Sequence, residues 1–188
     1  FTEGNVLVNL QLWTATGGSG TFLQSISTTV VDIDPSSDGP TPGTYEQFAF
    51  DDTWKYYDLG TDPGAYTETT YDDSAWSSGA GELGFGDGDE TTTIADVNQI
   101  SNQFRKTINV TDGDQYEEYM YDIKYDDGVV LYINGDEQAR STNMTAIPAV
   151  YNTAATGTIS DTARLTGTLP ASAFVNGNNT IAVLISQN

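Results

Sequence analysis

Three carboxylates fall within four residues at Asp87, Asp89 and Glu90, in the run Gly84-Phe85-Gly86-Asp87-Gly88-Asp89-Glu90. Acids at this density, with glycines that let backbone carbonyls turn toward a common centre, form the donor set of a hard cation such as calcium. Calcium takes about six to eight oxygen ligands from carboxylates and carbonyls in irregular loops. Asp126 and Asp127, ahead of Gly128, and the triplet Asp112-Gly113-Asp114 are weaker versions of the same pattern. Each also fits plain turn chemistry, in which Asp accepts hydrogen bonds from its own backbone. None of the three has the Asp-x-Asp-x-Asp-Gly spacing and distal Glu of an EF-hand. We expect Ca2+ with Asp87, Asp89, Glu90, Asp126 and Asp127 as candidate ligands, against the alternative of solvated acidic loops.

Other chemistry is narrowed by what is missing. The chain has no His and no Cys, so a Ser-His-Asp triad, a thiolate nucleophile and imidazole- or thiolate-ligated zinc, copper or haem are excluded. A glycosidase-type pair of carboxylates remains open in principle, but no motif among 27 acids singles out a pair, and we expect no enzyme. Trp13, Trp54 and Trp76 have the ring area to stack on a sugar, although aromatics also dominate sandwich cores. Trp54 with Tyr56, Tyr57 and Tyr66 is the candidate ligand-binding platform.

The net charge of the 188-residue chain is −21, from six Lys and Arg against 27 Asp and Glu. Affinity for a phosphate backbone comes from cations displacing counterions, so nucleic acid is not an expected partner. Residues 45–137 hold 22 of the acids and four of the cations, a local net of −18. Repulsion at that density weakens a compact fold unless something neutralises it, which again favours calcium. An acidic, Lys-poor surface that keeps the chain hydrated in a saline setting is the competing account. Apolar runs such as Val129 to Ile133 span only about five residues, far short of the roughly 20 a membrane-crossing helix needs.

The elements that must position these residues are strands. Val6, Val8, Leu10 and Leu12 alternate, Gly17-Gly18-Ser19-Gly20 supplies a turn, and Thr21 to Ile33 is rich in β-branched residues, so 1–33 reads as an N-terminal strand pair. Residues 34–44 carry three prolines and two glycines and read as a linker or exposed loop. Further on, Phe104, Lys106, Ile108 and Val110 alternate, as do Tyr119, Tyr121, Ile123 and Tyr125, and Ile181, Val183 and Ile185. Asn134-Gly135 is a strong hairpin signal, because a type I′ turn needs positive φ at both central residues. Many short strands with Gly, Asn and Asp turns and no amphipathic helix predict an all-β antiparallel sandwich over 45–188 with the strand pair as an extension.

One ordered set of features carries a resemblance: Tyr71-Asp72-Asp73-Ser74-Ala75-Trp76, Phe104-Arg105-Lys106-Thr107, Asp126-Asp127-Gly128 through Asn134-Gly135, and Gly177-Asn178-Asn179-Thr180-Ile181-Ala182-Val183. Over about residues 50–188 the chain resembles the galactose-binding-like jelly roll, in particular the non-catalytic sugar-binding domain of β-galactosidase and β-glucuronidase type glycosidases. The resemblance implies a binding or structural role, an extracellular location, and a buried Trp76. It transfers no sugar-contacting residue.

Two functions follow. In the first, the chain is a calcium-stabilised, non-catalytic extracellular module that binds a glycan or another surface ligand in adhesion or anchoring. In the second, it is a self-assembling subunit of a filament or surface layer, donating residues 1–33 to a neighbour's sheet with calcium between acidic subunits.

Overall fold

The computed structural model describes residues 9–15, 44–86, 88–95, 99–111, 118–160 and 162–188. They form an all-β sandwich. Its strands are β1 (Asn9–Ala15), β2 (Thr44–Phe48), β3 (Thr53–Tyr57), β4 (Ser77–Ala80), β5 (Leu83–Gly84), β6 (Thr92–Thr93), β7 (Ser101–Val110), β8 (Glu118–Lys124), β9 (Gly128–Ile133), β10 (Asp136–Arg140), β11 (Arg164–Pro170) and β12 (Gly177–Ser186). One sheet has the order β11-β8-β1-β2 and the other β10-β9-β12-β7-β3-β4, while β5 and β6 make a short parallel pair at the side. Helix among the described residues is limited to a 3-10 turn at Ala171–Ala173.

Period-two alternation explains the inner core. Strand β8 buries Tyr119, Tyr121 and Ile123 on one face, and β7, β9 and β12 answer with Phe104 and Ile108, with Leu131 and Ile133, and with Ile181 and Val183. Leu83 of β5 and Ile94, just after β6, join the same core. Asn134 (φ 52°) and Gly135 (φ 94°) both lie in the left-handed region, and the turn they make pairs β9 with β10 as the sequence predicts.

The six-stranded sheet is covered on its outer face as well. Val130, Tyr132, Ala182 and Leu184 point away from the inner core into a second apolar cluster. Loop 58–76 roofs them with Tyr66 and Trp76, and loop 141–157 with Met144 and Ala155. That roof is why Val129 to Ile133 is apolar at every position, since a strand with one wet face alternates.

Strand β1 places Asn9–Ala15, part of the expected N-terminal strand pair, in the four-stranded sheet. It is antiparallel to β8 from Asn9↔Lys124 to Ala15↔Glu118 and antiparallel to β2 from Leu12↔Phe48 to Ala15↔Thr44. β8 covers it along its whole length and β2 over Leu12–Ala15, so it is an inner strand of the sandwich. Residues 21–33 lie outside the described ones.

Candidate functional site

The site grows from a like-charge problem on two neighbouring strands. Lys55 on β3 and Arg105 on β7 are direct partners in the antiparallel register, and like charges placed opposite each other destabilise a sheet. Asp73 resolves the conflict from loop 58–76. Its Oδ2 accepts from Arg105 Nε at 2.9 Å, and its Oδ1 lies 3.4 Å from Lys55 Nζ. Lys55 Nζ also donates to the Asp73 carbonyl at 2.7 Å.

Arg105 is only 2% exposed, and a buried guanidinium needs an acceptor for each donor direction. Its Nη1 donates to the carbonyls of Tyr66 and Glu68, and its Cζ lies 5.2 Å from the Tyr71 ring centre. Local bonds shape the loop that brings these acceptors in. Asp72 Oδ1 accepts from Ser74 N, Trp76 N donates to the Asp73 carbonyl, and Trp76 Nε1 donates to Tyr71 Oη. The bonds from Ser74 to the exposed Asp72 carboxyl hold it below the usual carboxylate range.

Beside this ion cluster lies an open cavity of about 230 Å³. Thr53, Ser78 and Thr107 supply hydroxyls, Lys55, Asp73 and Arg105 supply charge, and Trp54 and Lys106 complete the lining. Lys106 is spent on Asp52 Oδ2 at 3.0 Å and on the Thr53 carbonyl, and its Nζ sits 5.2 Å from the Phe48 ring. Asp73 is the cavity's one carboxylate. The two-carboxylate geometry of glycoside hydrolysis, with groups about 5 to 9 Å apart, is therefore not met by its lining. What the lining offers is a set of hydrogen-bond donors and acceptors around a partly exposed Lys-Asp pair, with side chains 35% and 22% exposed.

The aromatic platform expected from the sequence does not form, and this is a correction. Trp54 is 1% exposed and packs edge-on against Phe48 in the inner core, with Tyr56 against the same cluster. Tyr57 and Tyr66 belong to the outer cluster, where Trp76 lies 5.2 and 6.5 Å from their rings. Successive strand residues point to opposite faces, so Tyr56 and Tyr57 cannot share a surface, and each is half-buried against a different cluster. Burial, then the neighbouring Tyr132 and Asp62, pushes the Tyr66 hydroxyl well above its ordinary range. Trp76 is buried.

Asp87 lies outside the described residues, as do Asp112 and Asp114. Asp89 is exposed, and Glu90 Oε2 accepts from Gly88 N at 3.1 Å. Asp126 and Asp127 are each 6% exposed. Asp127 spends Oδ1 on Ile159 N and Oδ2 on Asn188 N, and the Asp127 carbonyl accepts from Asn143 Nδ2. It clasps loop 141–157, the segment before β11 and the end of β12. Among the described residues no three acids converge as a metal-ligand group.

Sequence reasoning missed Lys55, Asp73 and Arg105 as one unit. A signal was present: Lys55, Arg105 and Lys106 are half of the chain's six cations, and a chain so poor in cations places them where an acid must be held. No protein-family model matches this chain, and no curated protein or solved structure matches it either. Fold and site together define an all-β sandwich carrying a small polar cavity on one sheet edge.

Proposed function

We propose that the chain is a non-catalytic extracellular binding module whose ligand is a neutral carbohydrate unit. The cavity beside Lys55 and Asp73 is the observation that carries this reading. Its volume of about 230 Å³ is below the roughly 300 to 1,000 Å³ of drug-sized pockets, which fits one sugar ring or the end of a chain. Vicinal hydroxyls donate to Asp73 Oδ1 and accept from Lys55 Nζ, replacing the long 3.4 Å contact between them. Neutrality of the ligand follows from charge. All six cations of the chain already have a carboxylate partner, five different acids in all, and an anionic glycan would meet a field of −21. The galactose-binding-like resemblance supports the same reading.

Calcium belongs to the proposal through the local net of −18 over residues 45–137, with Asp89 and Glu90 beside Asp87 as its ligands. An adhesion or anchoring role follows if the sugar belongs to a surface polymer.

Retention on immobilised neutral polysaccharides, released by free sugar, tests the reading. Thr107→Trp fills the cavity from its exposed rim and is expected to abolish retention while leaving the denaturation midpoint in place. No retention on a broad panel of neutral glycans overturns it.

A further inference from the structure

Strand β1 is joined to β2, its antiparallel neighbour, by residues 16–43, a connection of 28 residues. Antiparallel neighbours need only about two to five residues between them. Fully extended, 28 residues reach about 90 Å, whereas a fold of this length has a radius of gyration of about 16 Å. Covalent linkage therefore does not oblige β1 to pair within its own chain.

The place it fills is nevertheless demanding. β1 is the strand that joins β2 to the rest of its sheet. Without it, β8 loses a seven-residue register and β2 loses its sheet neighbour. Two rows of backbone donors and acceptors would be left open above the core that Tyr119, Tyr121 and Ile123 build. Unpaired backbone of this kind recruits a strand.

Charge selects which strand. Residues 1–33 carry only Glu3 and Asp32 and no cation, so nearly all of the −21 lies elsewhere. A segment as acidic as the body of the chain would be repelled from this slot. Asn9–Ala15, which carries no charge, enters without that cost.

We propose that Asn9–Ala15 of one copy fills the slot between β8 and β2 of a second copy, in the register it has within one chain. The partner is a second copy of this chain. Reciprocal donation closes a dimer, and one-way donation propagates a filament, because a head-to-tail interface that does not close repeats without end. This inference stands apart from the carbohydrate reading, since β1 and the cavity lie on different sheets.

The absence of Cys makes the test direct. Gln11 and Asp122 are register partners, as are Asn9 and Lys124. One chain carrying Gln11→Cys is co-expressed with another carrying Asp122→Cys, oxidised, and run without reductant. The expected result is a disulfide-linked pair of the two chains as the major species. The pair Asn9→Cys and Lys124→Cys repeats the experiment where loss of the Asp122–Arg164 ion pair impairs folding. In the doubly substituted Gln11→Cys/Asp122→Cys chain, exchange gives a linked dimer or ladder. Absence of the mixed pair for both positions, with the doubly substituted chain running as an internally linked monomer, overturns the proposal.

Discussion

Arg105 Nε donates to Asp73 Oδ2 at 2.9 Å across 32 positions of sequence, and that bond fastens loop 58–76 to the outer face of the large sheet. Removing Arg105 takes the partner from Asp73 Oδ2 and from the carbonyls of Tyr66 and Glu68, and leaves Lys55 beside Asp73 Oδ1. Breaking a buried pair from one side costs about 3 to 5 kcal/mol. The partial exposure of Asp73 puts Arg105→Met near 3 kcal/mol, read as a lower urea midpoint. Arg105→Lys recovers only part of this, because an ammonium lacks the fork that reaches Asp73 and the Tyr66 carbonyl at once. Equal stability of Arg105→Met and the parent would refute the loop-anchoring role.

That anchor shows what the sequence displays and what it hides. The alternation of Tyr119, Tyr121 and Ile123 and the Asn134-Gly135 turn are local signals, so β8 and the hairpin of β9 and β10 are readable from neighbouring residues alone. The segments Tyr71–Trp76 and Phe104–Lys106 are visible as motifs, but their meeting through Asp73 and Arg105 depends on tertiary folding. Tyr56 and Tyr57 look like one platform in sequence because hydrophobicity and exposure are indistinguishable there until loop 58–76 is known to roof one face. The central place of β1 was hidden for a similar reason. Its partners on β8 lie more than 100 positions away, beyond any local turn signal.

Alkaline pH should unfold the chain through its buried tyrosines. Burial, with Glu137 nearby and Arg140 opposing, pushes the Tyr132 hydroxyl up to about 12 from an ordinary value of 10.0. Burial also raises Tyr66. Above pH 10 the unfolded chain gives up these protons while the folded chain keeps them, so the folded state binds more protons and stability falls as pH rises. This contribution is fully present below pH 10 and is lost as pH rises toward 12. Tyr132→Phe is expected to flatten that decline in denaturation midpoints between pH 10 and 12. An unchanged slope would show that Tyr132 does not drive it.

Asn179 is fully buried and works as a four-way clasp. Its Oδ1 accepts from Val175 N and Asn134 Nδ2, and its Nδ2 donates to the carbonyls of Val175 and Gly177. It thus locks the Asn134-Gly135 turn to the start of β12. Asn179→Ala leaves several buried groups without partners, at about 1 to 3 kcal/mol each where water does not enter. We expect a loss of at least about 2 kcal/mol and faster amide exchange at Asn134 and Thr180. Protection unchanged at those amides would rule the clasp out.

Chelation separates the calcium account from the saline-surface account. A ligand that binds only the folded chain stabilises it by about 2.7 kcal/mol at a hundredfold excess over its dissociation constant. Adding millimolar calcium to chelated protein is expected to raise the melting temperature, and Asp89→Asn with Glu90→Gln to abolish the rise. If magnesium or ionic strength alone reproduces it, the acidic loops act as a hydrated surface and hold no calcium.

Gly128 opens β9 under loop 141–157, where a Cβ would stand 2.5 Å from Met144 Sδ and 3.0 Å from the Ala155 Cβ. Neither neighbour yields easily, because Met144 is 1% and Ala155 3% exposed. Gly128→Ala is therefore expected to cost about 1 to 3 kcal/mol by overpacking. Met144→Ala alone should cost about 2 to 5 kcal/mol through the space it empties. In the double variant the new methyl group occupies part of that space, so the combined loss should be smaller than the two single losses added, by roughly 1 kcal/mol. Additive losses in urea denaturation would mean that Gly128 is needed for its backbone and not for the close approach of Met144.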